Sequence, residues 1–160
     1  MHDQNFTSLP DLHGVPVFYP HGTQLIWISQ NGEITRPNRE TLAAEFALGV
    51  VLLCHRRWSA ARAAIDIDHY LDVMELFAFV RPARFVLPTP SGLAQHLGLA
   101  RPQQGEDMAA LLPQIAFILL DELASTPDPA RTEAGRIATM MTAGGWKWGP
   151  YILALSLIHI

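Results

Sequence analysis

One cysteine and one lysine are all that the 160-residue chain holds of those two residues. Cys54 has no partner for an internal disulfide and none for a thiolate zinc site, which fits a reducing cytoplasm. Charged residues make up only 16% of the chain, and fifteen acids against eleven bases give a formal net charge of −4. No global basic field therefore announces a nucleic-acid partner. The longest apolar runs, "FALGVVLLC" and "IAFILL", are far short of the roughly 20 residues that span a bilayer. The opening "MHDQNFTSLPDLHG" lacks the basic and apolar regions of a signal peptide. There is no Gly-x-x-x-x-Gly-Lys-Ser/Thr phosphate loop, no Gly-x-Ser-x-Gly elbow and no His-Glu-x-x-His.

What is present is apolar and regularly patterned. Hydrophobic residues are 49% of the chain, enough for one packed domain. From Val15 to Ile34 β-formers are punctuated by Pro-His-Gly and by Asn31-Gly32, so strands are expected near 15–19, 24–30 and 33–35. Asn38 can cap a helix carrying Leu42 and Phe46, and "GVVLLCH" is a short strand of the kind buried on both faces. "RRWSAARAAI" returns to helix, and "HYLDVMELFAFV" begins as strand and turns helical. This alternation defines a layered α/β domain.

After residue 90 the strand pattern ends. "SGLAQHLGL" is a short helix with Ser91 as its cap, and Leu111, Leu112, Ile115 and Leu119 stripe a longer one, with Pro113 in its first turns or at a kink. A third helix is capped by Thr126 or Asp128 and stopped by Gly144-Gly145. The expected core includes Leu52, Leu53, Leu76, Leu93, Leu97, Ile115 and Leu119. The expected organisation is a flexible segment 1–14, a domain over 15–125, a helical appendage over 126–154, and a non-native tail over 155–160, where "LSLIHI" reads like a vector scar.

Candidate chemistry gathers at two places. "LLCHRRWSAARAAI" delivers His55 to the end of a buried strand, where open α/β sheets bind ligands. The alternative is that His55 caps the strand and bonds a nearby carbonyl. Arg56, Arg57 and Trp58 follow and could hold a phosphate and stack a base, or form a solvated helix start. "DIDHYLD" puts Asp66, Asp68, His69 and Asp72 within seven positions, yet a metal pair needs carboxylates converging from different elements. Asp107 opens the long helix as a dipole-facing carboxylate.

The pieces "LLCHRRWSAARAAI", "LDVMELFAFVRP", "SGLAQHLGL" and "EDMAALLPQIAFILLDELA" together resemble, in order, the second half of a DnaQ-like, DEDD-type 3′-to-5′ exonuclease. The resemblance implies a ribonuclease H-like mixed sheet with flanking helices, followed here by a C-terminal helical segment. It sets His55 on the family's histidine and Asp107 on its last aspartate. Arg56 stands where the family has Asn, Ala60 where it has the helix aspartate, Pro102 where it has the final histidine, and no Asp-x-Glu occupies the leading strand. Two Mg²⁺ ions cannot be held by the remnant acid Asp107, so catalytic and metal-binding residues are expected to be absent.

The run from "LCHRRW" to "HLGL", followed by Gly-Trp-Lys-Trp-Gly-Pro, is also similar to the N-terminal region of bacterial DinG-type ATP-dependent DNA helicases of superfamily 2. That resemblance implies a cytoplasmic DNA-repair protein whose ATP and Mg²⁺ sites lie in a downstream helicase core. This part would bind or guide single-stranded or forked DNA through His55, Arg56, Arg57 and Trp58, with no cofactor of its own and no membrane. Two rivals stand beside it. One is an active nuclease using Asp66, Asp68, Asp72 and Asp107; the other is a docking module presenting exposed Trp146 and Trp148.

Overall fold

The computed structural model describes residue 12 and residues 14–158. Strands β1 (Val17–His21), β2 (Gln24–Ile28), β3 (Ile34–Thr35), β4 (Val51–Leu53) and β5 (Tyr70–Asp72) form one sheet in the order β3-β2-β1-β4-β5. The first three make an antiparallel meander, while β1, β4 and β5 run parallel. Helix α1 (Arg39–Leu48) leads from the edge strand β3 to β4, α2 (Arg56–Ala63) leads from β4 to the other edge strand β5, and α3 (Val73–Val80) continues directly from β5. Then come α4 (Pro90–His96), α5 (Gly105–Ala124), α6 (Ala130–Ala143) and α7 (Gly149–Ile158).

Strand alternation explains the layers. Val17 and Tyr19 of β1, Ile26 of β2, Leu52 of β4 and Leu71 of β5 face one core with α3, α4 and α5. Their neighbours Phe18, Trp27, Val51 and Leu53 face a second core with Leu42 and Phe46 of α1 and Ala63 of α2. Successive side chains on a strand point to opposite faces, so a sheet covered on both sides needs apolar residues at consecutive positions. β4 satisfies this with three buried residues in a row.

The turn from β1 to β2 passes through Gly22 at φ +58°, a left-handed conformation that glycine adopts without steric cost. Gly105 opens α5 against that turn, where a Cβ would collide with Ile26 and His21. The sheet's parallel ends, the β1–β2 turn and the starts of α2 and α5 therefore share one edge.

Several expectations need correcting. The short helix α4 is capped by Thr89, which accepts from the Gly92 N–H at 3.0 Å, with Pro90 in its first turn, so it starts before Ser91. Pro113 sits inside α5, past its first two turns. Leu97 is half-buried rather than buried, while Leu52, Leu53, Leu76, Leu93, Ile115 and Leu119 are buried.

Trp148 is fully buried instead of exposed, because its indole N–H donates to the Asp72 carbonyl at 2.8 Å, while Trp146 is half-buried. The expected helical appendage over 126–154 holds α6 and, past the Gly144-Gly145 stop, most of a further helix, α7. It begins at residue 149 and continues past 155, with Leu155 buried in the same cluster as Leu119. Of the expected flexible segment only residues 12 and 14 are described, and residues 159 and 160 of the expected tail lie outside the described residues. No helix among the described residues is long and apolar enough to cross a membrane.

Candidate nucleic-acid interface

At the end of β4 the chain turns sharply. His55 adopts φ +62°, and its own backbone N–H and that of Arg56 both point at the Asp72 carboxylate, at 2.9 and 2.8 Å. Consecutive N–H groups in such a turn form a concave seat for an anion, and here the protein's own carboxylate fills it. Asp72 also caps α3, accepting from the Met74 N–H at 2.9 Å. Its two oxygens thus serve three backbone donors from two segments.

This arrangement divides the residues of "DIDHYLD". Asp66, Asp68 and His69 are exposed on the α2–β5 loop, while Asp72 is buried and committed to backbone donors. Among the described residues no three His, Cys, Asp or Glu side chains are grouped to hold a metal ion. Asp107 lies on the first turn of α5 and accepts the Gln104 N–H at 3.1 Å, the role of a helix-capping carboxylate. A metal pair of the exonuclease type does not fit this donor set. β1, which would have to carry the leading acids, reads Val-Phe-Tyr-Pro-His.

His55 caps a helix rather than bonding a carbonyl. Its Nδ1 accepts from the Trp58 N–H at 3.1 Å, which makes this nitrogen an acceptor and leaves any ring proton on Nε2. Arg56 is turned inward: its Nε donates to the Ile67 carbonyl at 2.9 Å and its guanidinium lies 5.1 Å from the centre of the Tyr70 ring. The Arg57 side chain is exposed and makes no hydrogen bond or ion pair among the described residues. The four expected residues are therefore adjacent, but only Arg57 and Trp58 are offered outward.

Trp58 is 40% exposed and has two neighbours close to its ring. The Arg62 guanidinium lies 5.9 Å from its ring centre, and the Tyr19 ring 6.0 Å away on the other element. His21 stacks on Tyr19 at 6.2 Å. Arg62 could have been found from sequence, since it follows Trp58 by one helical turn on the same face. Tyr19 and His21 reach the site only through strand pairing, and no local pattern marks them.

Beneath the edge the electrostatics are those of a closed floor. Burial pushes the Cys54 thiol far above the ordinary range, with the Asp72 charge adding to it. Burial and the nearby Cys54 also raise Tyr19. Glu75 is raised by burial first and by Asp72 second, although a hydrogen bond from Trp146 and the Arg56 charge pull the other way. None of these groups is poised as a nucleophile or general base on an open surface. Comparison of the chain with protein-family models, with curated proteins and with solved structures yields no match.

Proposed function

We propose that this chain is a non-catalytic DNA-binding or DNA-guiding module, the N-terminal part of an ATP-dependent DNA helicase acting in the cytoplasm in DNA repair or replication. The observation that carries the DNA contact is the exposed Trp58 ring, flanked by Arg62 and Tyr19 and adjoined by the unpaired Arg57. An aromatic face with cations beside it suits a single strand, whose bases stack without regard to sequence while its phosphates seek positive charge. The five-stranded mixed sheet with helices on both faces is compatible with a ribonuclease H-like ancestor. In such an ancestor the edge holding His55 and Asp72 would have faced substrate. Here Asp72 serves the backbone, and Arg57 and Trp58 take over the contact. The helicase parentage rests on sequence resemblance alone.

The test is the binding of fluorescein-labelled oligothymidylate by anisotropy across a salt series. Trp58→Ala is expected to weaken binding by about 1 to 3 kcal/mol, the usual worth of one base stack. Arg57→Ala is expected to flatten the dependence of log affinity on log salt by about 0.7. Affinity and slope unchanged in both variants would remove this edge from any DNA path.

A further inference from the structure

Beyond Trp58 the same edge opens into a cleft of about 640 Å³, walled by the β1–β2 turn, the β3–α1 loop and α2. Three arginines line it, Arg36, Arg39 and Arg62, and no acidic side chain does. Arg36 is neutralised by an ion pair with Glu106 and bonds Gln24. The other two are held in place without being neutralised. The Arg39 Nε donates to the Ala63 carbonyl at 3.0 Å, and Arg62 donates to the Gly22 carbonyl. A carbonyl fixes a guanidinium's position but cancels none of its charge, so terminal nitrogens remain for a ligand. Asn38 and Arg39, at the start of α1, also line the cleft, adding the positive end of a helix; Glu40, in that helix's first turn, is not among the lining residues.

We infer that this cleft is a phosphate-binding site taking the sugar-phosphate backbone of a single strand whose neighbouring bases stack at Trp58. The inference rests on the DNA-binding reading and extends it. Arg62 joins the two, since it lines the cleft and also lies beside the Trp58 ring. The assigned contacts are Arg39 and Arg62, two cations oriented by the fold toward an acid-free hollow.

The experiment compares the full chain with the Arg39→Ala/Arg62→Ala and Arg57→Ala/Trp58→Ala double variants, each checked for folding by circular dichroism, on oligothymidylate across a salt series. The cleft variant is expected to lose about 1.4 from the salt slope, two contacts at about 0.7 each. Arg39→Lys/Arg62→Lys, which keeps the charges, is expected to restore most of it. A cleft variant with wild-type slope overturns this inference and leaves the Trp58 reading standing. A flattened slope in the cleft variant, with both affinity and slope unchanged in the Arg57→Ala/Trp58→Ala variant, keeps the cleft and overturns the Trp58 reading, and an unmodified chain that binds no oligonucleotide overturns both. Displacement of the strand by inorganic phosphate at constant ionic strength, dependent on Arg39 and Arg62, would mark a free-phosphate site and overturn the assignment to a strand.

Discussion

Asp72 receives three backbone N–H groups on its carboxylate and the Trp148 indole on its carbonyl, so four donors from three parts of the chain meet at one residue. A buried carboxylate whose two oxygens meet this many backbone donors is committed to holding the chain around it. Asp72→Ala would uncap α3 and strand the N–H groups of His55 and Arg56. The expected cost is about 2 to 4 kcal/mol, read from the shift in urea midpoint at constant slope. A loss well under about 1 kcal/mol would mean that water reaches these donors and that the turn at His55 is held by other contacts. The sequence made Asp72 visible as an acid opening an apolar helix, but not as a seat for the β4 turn, because His55 and Arg56 lie 17 and 16 positions away. Likewise Trp148 looked like a surface residue in a glycine-rich segment, since its partner carbonyl is 76 positions distant.

Among elements, β4 has three residues yet pairs with β1 on one side and β5 on the other, with both faces covered. Its continuous apolar run was enough to identify it, as was the glycine before it. Leu53 is 0% exposed and packs in the α1–α2 core; Leu53→Ala is expected to cost about 2 to 5 kcal/mol in denaturant unfolding. A near-neutral value would mean that α1 and α2 settle into the space. The α/β alternation up to residue 80 and the long α5 were legible because apolar spacing there follows a single period. The end of the chain was not: "GPYILALSLI" is apolar without helical amphipathicity, and α7 is helical because it lies against α6 and α5. Tertiary packing, not local pattern, supplies most helix stability in such a segment.

Over the whole molecule, one apolar cluster runs from Leu52 and Leu71 of the sheet through Leu119 of α5 to Ala138, Trp148 and Leu155 of the last two helices. The edge bearing Trp58 is therefore tied, through Asp72 and Trp148, to the helices that follow residue 126. Cys54 lies within this cluster at 1% exposure, with a thiol that burial keeps protonated. That makes the single sulfur a clock. A thiol reagent needs an exposed thiolate, so each modification records one opening of the sheet deep enough to bare β4. Under native conditions the opening free energy from labelling is expected to equal that from urea unfolding. Labelling many times faster would reveal that the end of β4 breathes on its own, and that the edge bearing Trp58 can loosen while the rest of the molecule stays shut.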